Sequence, residues 1–106
     1  MNSTFHPQAG TWSDELRSAI AEWIADLDLV WSKTAIPGTH GEVSYGKAYA
    51  RIIRRDNVSG SAHAFVDKEG NIWKASSWAA PAKNFVRGNV LRREWPLTPY
   101  DLSGRR

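Results

Sequence analysis

Three histidines, a pair of adjacent serines and a few acids in turn sequences are the side chains with which bond-making chemistry would have to begin in this chain. Catalysis needs groups that move protons or form a covalent bond, held in one constellation. His6 lies in a polar N-terminal stretch, His40 near the middle of a Gly- and Thr-containing loop, and His63 inside a run with strand character. Ser76 or Ser77 with His63 and Asp67 can be drawn as nucleophile, base and orienter. No nucleophile-elbow pattern surrounds either serine. A lone histidine in a strand, here expected on the same face as Phe65, is more often a packed or hydrogen-bonded sheet residue than a base. A nuclease would need clustered carboxylates to hold a divalent ion. Asp56, Asp67 and Glu69 instead fall in turns, where acids serve turn geometry alone. Lys74 follows Asp67 without the acid-x-Lys pair that would sharpen the idea. Ser59-Gly60 and Arg87-Gly88 punctuate turns and do not form a phosphate loop. There is no cysteine, so neither a disulfide nor a thiolate metal site exists. The expectation is a protein with no catalytic residues, no metal and no cofactor. A small hydrolase or nuclease is the least supported reading.

Binding chemistry is better supplied. Lys47, Arg51 and Arg55 are expected on one side of a first strand with Tyr45 and Tyr49, and Lys74 follows Trp73 on a later one. Lys83, Arg87, Arg92 and Arg93 lie farther on. Cations contact phosphates and aromatic rings stack on bases, the two features single-strand binders combine. The same residues also describe an ordinary solvated sheet face with Tyr45 and Tyr49 in the core. Trp and Arg are the side chains most enriched in protein-interface hot spots, and the chain holds six tryptophans. Trp78-Ala79-Ala80-Pro81 is the leading patch: an aromatic anchor on a rigid segment of small residues. Trp78 plugging the end of the core is the alternative.

Charge is divided along the chain. Residues 13–33 carry Asp14, Glu15, Glu22, Asp26 and Asp28 against Arg17 and Lys33, while residues 34–106 carry twelve Lys or Arg against six acids. Such asymmetry marks either an acidic or polyanionic partner or an acidic element attracted to a basic one within the same fold. A net charge of −3 on the first segment would repel DNA, leaving one face for nucleic acid.

The elements that must position these groups follow from periodicity. Leu16, Ile20, Trp23, Leu27, Val30 and Trp31 recur at helical steps, with Glu15, Glu22 and Asp26 opposite, so residues 13–33 form an amphipathic helix capped by Thr11 or Ser13. Ile36-Pro37-Gly38 ends it. Residues 1–10 read as a flexible arm and 34–44 as a loop. From Tyr45 the period becomes two, and residues 45–76 hold three strands: Tyr45 to Arg55, Ala62 to Val66, and Ile72 to Ser76. Asn57-Val58-Ser59-Gly60 and Asp67-Lys68-Glu69-Gly70-Asn71 connect them. The fold class is α+β, one helix packed on a three-stranded antiparallel meander, with residues 77–106 an ordered extension and a Pro-rich tail. At 106 residues this is one domain. No apolar run approaches a membrane span, and Met1 to Trp12 lack the basic and apolar regions of a signal peptide.

The stretch Tyr49 to Val90 resembles a family of small uncharacterised proteins of tailed bacteriophages, many infecting actinobacteria. The resemblance is carried by Tyr49-Ala50-Arg51-Ile52, by Ser61-Ala62-His63-Ala64-Phe65-Val66-Asp67, and by Gly70-Asn71-Ile72-Trp73-Lys74-Ala75-Ser76-Ser77-Trp78. Ala80-Pro81-Ala82-Lys83 and Arg87-Gly88-Asn89 complete it. Trp73 stands where the pattern more often has Tyr or Leu. The resemblance implies a phage or prophage origin and action in the host cytoplasm, and it assigns no activity. The reading is a non-enzymatic accessory protein that binds a host or phage protein, with nucleic acid as alternative partner, no membrane contact, and self-association through an edge strand as a variant. Trp78, Lys83 and Arg87 on the extension, then Arg51, Arg55 and Lys74 on the sheet, are the expected contact residues.

Overall fold

The computed structural model describes residues 12–97. The expected 1–10 arm, Thr11 and the tail from Thr98 onward lie outside them. Helix α1 spans Asp14–Thr34. Ser13 is its N-cap: the hydroxyl oxygen accepts from the Leu16 amide at 3.1 Å, satisfying a donor the first turn cannot pair. Asp14 and Glu15 in the first turn and Lys33 in the last match the helix dipole. Leu16, Ala19, Ile20, Trp23, Leu27 and Trp31 are buried, the stripe that the spacing predicts. Each large apolar side chain so buried contributes roughly 1.5–3 kcal/mol.

Against this stripe lies one antiparallel sheet. Its strands are β1 (His40–Tyr45), β2 (Tyr49–Arg55), β3 (Gly60–Asp67), β4 (Asn71–Ala75), β5 (Pro81–Ala82) and β6 (Gly88–Asn89). Neighbours run β1-β2-β3-β4-β5, and β6 also pairs with β4. The helix on an antiparallel sheet is as expected. The strand count differs, because residues 40–45 are a strand and not a loop and the extension adds the two-residue strands β5 and β6. Glycine and polar residues mask the alternation of β1, whose partly buried apolar residues are Val43 and Tyr45. Gly41 has a reason to be there. A side chain at that position would press on Ile24 of α1, and its amide donates to the Asp28 carboxylate at 2.6 Å.

The expected first strand is likewise split. The chain turns at residues 46–48, with the Gly46 amide donating to the Tyr49 carbonyl at 2.8 Å. Tyr45 therefore ends β1 and points to the core, where its ring sits 5.4 Å from Trp12 and under the Arg17 guanidinium. A second correction concerns His63. The β2–β3 register slips between Ile52↔Ala64 and Ile53↔Ala62, leaving His63 as an extra residue. This bulge turns its ring toward α1, 5.1 Å edge-on to Trp31 and 6.1 Å from Trp23. Phe65 packs with Tyr49 on the opposite face.

The chain after β5 closes the fold. Asn89 is buried, and its side chain joins three segments. Its carbonyl oxygen accepts from the Leu91 and Arg92 amides, and its amide donates to the Glu69 carbonyl and to Asn71 Oδ1. Gly88 precedes it at φ 154°, and a Cβ there would collide with the Glu94 carbonyl. A 3-10 turn (Val90–Arg92) and Arg93 in the left-handed region then aim the chain back at α1. Arg93 makes a two-point contact with Glu22 (3.1 and 2.7 Å), the Trp95 indole donates to Asp26, and the Trp23 indole donates to the Pro96 carbonyl at 2.8 Å. Asn89→Ala should lower stability by about 2–3 kcal/mol, because several buried backbone groups lose their partner at once. Urea unfolding followed by tryptophan fluorescence measures this, and a loss below ~0.5 kcal/mol would show that the segment holds without Asn89.

Candidate binding face

With α1 covering one side of the sheet, the other side is built from alternate residues. Tyr49, Arg51, Ile53 and Arg55 of β2 lie beside Phe65 of β3 and Trp73 of β4, through the pairs Arg51↔Phe65 and Phe65↔Trp73. After Ala75 the chain leaves the sheet. The Ser76 and Ser77 amides and the Ser76 hydroxyl all donate to the Ala80 carbonyl, closing a tight bend that returns as β5 on the far edge of β4.

The bend sets Trp78 over Arg51. Arg51 Nε donates to the Trp78 carbonyl at 2.7 Å, and its guanidinium stands 4.7 Å from the Trp78 ring and 5.8 Å from that of Phe65. Phe65 meets Tyr49 edge to face at 6.0 Å. Lys83 then bridges Tyr49 and Trp73: its ammonium donates to the Tyr49 hydroxyl at 2.9 Å and lies 4.6 Å from the Trp73 ring. That hydroxyl is the main reason the Lys83 pKa is raised. Rings and cations thus form one series from Trp78 to Trp73, with Arg51 and Lys83 each set between two rings. Each such contact at an exposed site is worth about 0.5–1 kcal/mol, enough together to hold long side chains in one arrangement.

Of the expected contact residues, Arg51, Trp78 and Lys83 come together here. Trp78 remains 47% exposed, so it is not a plug of the core. Arg55 lies on the same face but farther along, where its Nε pairs with Glu42 at 2.9 Å. Glu42 also meets His40 at 2.8 Å; these contacts hold the Glu42 carboxyl below its usual pKa. The Gly38 carbonyl and then Glu42 raise His40. Lys74 is a correction. It pairs with Ala64, whose side chain is in the helix-facing core, so alternation sends Lys74 to the α1 side, where it is exposed. Arg87 lies off the sheet, between β5 and β6, with its guanidinium 3.8 Å from the Phe85 ring. Phe85 and Val86 beside it are exposed at 49% and 41%. Sequence reasoning missed them, since two adjacent apolar residues in a turn-rich stretch carry no periodicity; their only signal is that they break a polar run.

The groups drawn as a hydrolytic triad are kept apart. His63 faces α1. Asp67 is taken up by the β3–β4 turn: it accepts from the Glu69 and Asn71 amides, the Asn71 side chain and the Trp73 indole. Ser76 bonds within its own bend. Among the described residues no three His, Asp or Glu gather as a metal site, and no helix is long and apolar enough to cross a membrane. Two hollows flank Trp78. One of ≈ 190 Å³ is lined by Lys47, Tyr49, Arg51, Phe65 and Ala79; the other, of ≈ 350 Å³, lies between Gly60–Ala62 and Ala75–Trp78.

Residues 15–106 match the family of unknown function DUF7717. The chain belongs to that family. Its extent takes in α1, the sheet and the closing segment. No curated protein and no solved structure matches the chain.

His63 gives this architecture a pH dependence. Its Nε2 is buried without a hydrogen-bond partner, and burial, then the nearby Arg54 charge, lower its pKa to about 4. The unfolded chain therefore binds a proton in the window between about 4 and the ordinary 6.5, where the folded one does not. Stability due to this group is full above that window and falls as pH drops through it, by up to about 3 kcal/mol. Denaturant midpoints from pH 7 to 4 should fall more for the native chain than for His63→Leu; parallel curves would refute the assignment.

Proposed function

We propose that this is a non-catalytic binding module whose outer sheet face docks onto another protein. The observation that carries the reading is Trp78, a large ring half open to solvent yet fixed from beneath by Arg51. An exposed aromatic that is already ordered gives up little freedom on binding, the property that makes Trp and Arg effective interface anchors. Phe85 and Val86 add exposed apolar surface on the same C-terminal extension, and Lys83 borders the ring series with a charge. The resemblance of Tyr49 to Val90 to small proteins of tailed phages supports a phage accessory role in a bacterial cytoplasm, with a host or phage protein as partner.

Nucleic acid is the competing partner, since rings and cations share the face. The arrangement weighs against it: Lys83 covers the Trp73 and Tyr49 rings and bonds the Tyr49 hydroxyl, so two of the stacking surfaces are occupied by the protein's own side chain. Affinity capture from an actinobacterial host lysate, run with and without nuclease, tests the choice. The expected result is a nuclease-resistant partner lost with Trp78→Ala and weakened about ten-fold with Lys83→Ala, both variants keeping native circular dichroism. Capture abolished by nuclease, or unchanged by Trp78→Ala, would overturn the proposal.

A further inference from the structure

Strand β3 is longer than one of its neighbours. It pairs with β2 from Gly60 to Asp67, but β4 meets it only at Ala64, Phe65 and Val66. β4 runs one residue further, to Ala75 opposite His63, and the chain then bends away through Ser76–Ala80 to pair on the far side. Among the described residues no strand lies against this side of Gly60–Ala62, so the first three residues of an interior strand present a sheet edge. The ≈ 350 Å³ hollow opens along it, with Gly60, Ser61 and Ala62 on one wall and Ser76, Ser77 and Trp78 on the other. These lining residues, Trp78 excepted, are small and allow a backbone to approach.

We infer that an extended, acidic segment of the partner protein adds to the sheet here, in line with β4 and antiparallel to β3. Strand addition takes its affinity from main-chain hydrogen bonds and its selectivity from the side chains alongside. The surrounding charges choose the sign. Arg55 pairs with Gly60 in the ladder and its guanidinium lies against it, and Arg51 holds Trp78 on the same face; Arg54, over the Trp31 ring, and Lys74 lie on the α1 side of the strand. Facing these four cations, Glu42 binds Arg55, and Asp56 is spent on the Val58 and Ser59 amides. A basic segment, or a second copy bringing the same arginines, would meet repulsion. Trp78 then stands over the incoming strand as the anchor. The inference rests on the Trp78 face being the binding face and adds the conformation and charge of what binds.

The test uses the full chain labelled with ¹⁵N and three peptides: acetyl-Glu-Val-Glu-Val-Glu amide, its Lys-for-Glu counterpart, and the acidic peptide N-methylated at all five residues, so that neither edge can donate. The acidic peptide should shift the Ser61, Ala62 and His63 amides and the Trp78 indole, and both other peptides should bind about ten-fold more weakly or worse. Acidic-peptide shifts that are absent up to millimolar concentration, or that fall elsewhere, overturn the inference. Equal binding of the N-methylated peptide overturns strand addition while leaving Trp78 docking intact, and equal binding of the lysine peptide overturns the charge assignment. A DNA oligonucleotide moving the same amides at lower concentration than the acidic peptide, or shifts that grow with protein concentration alone, would assign the edge to nucleic acid or to a second copy. Failure of the Trp78 reading itself shows separately, as capture from lysate that survives Trp78→Ala.

Discussion

The indole of Trp23 sets the terms for this fold. It is wholly buried between α1 and the sheet, and an indole N–H taken out of water without an acceptor costs on the order of 1–3 kcal/mol. The acceptor is the Pro96 carbonyl, which belongs to a segment distant in sequence. The end of the described chain must therefore return to the middle of α1. Gly88, which tolerates the close Glu94 carbonyl, Asn89, which ties the turn, and Arg93, in the left-handed region, are the devices that steer it there. The Gly88-Asn89 pair looks like turn punctuation in sequence. Its work is to seat the acceptor of a core side chain.

The same requirement explains where the charges went. The acids of α1 that a sequence reader assigns to solvent or to a distant partner are largely used inside the molecule. Glu22 receives Arg93, Asp26 receives the Trp95 indole, and Asp28 receives the Gly41 amide. An acidic helix attracting basic segments of its own chain is thus at least part of the asymmetry, one of the two readings the sequence left open. What remains is a sheet face on the other side where cations outnumber carboxylates and are steadied by rings. Two faces of opposite character follow from one helix covering one side.

Legibility tracked local periodicity. α1 announces itself through six apolar positions at helical steps with a capping serine, and β2 to β4 through alternation between turns, so their placement was open to reading. β1 was hidden because Gly41 and Ser44 interrupt it and its pairing with β2 is set by cross-strand contact, not by local pattern. The face of His63 was unreadable for a sharper reason: one inserted residue reverses alternation, and a bulge is set by cross-strand register. Lys74 was misplaced for a different reason: no bulge intervenes, and alternation alone sets Trp73 and Lys74 on opposite faces of β4. The meeting of Arg51 with Trp78, and of Lys83 with Tyr49, depends on the chain folding back after Ala75, which no period of two or 3.6 encodes.

That fold-back also ties the two halves of the candidate site into one physical event. If β4 continued in register past Ala75, its next residues would cover the Gly60–Ala62 edge and Trp78 would project from a strand instead of meeting Arg51. Because the chain bends at Ser76, with both serine amides on the Ala80 carbonyl, the edge is uncovered and Trp78 is delivered to Arg51 in the same stroke. An open edge alone invites unselective pairing, and an exposed tryptophan alone invites unselective adhesion. Placed together, with Arg51 and Arg55 on the Trp78 face and Arg54 and Lys74 on the α1 side, each restricts the other: a segment that is extended, negatively charged and able to meet an indole satisfies edge, charge and ring at once.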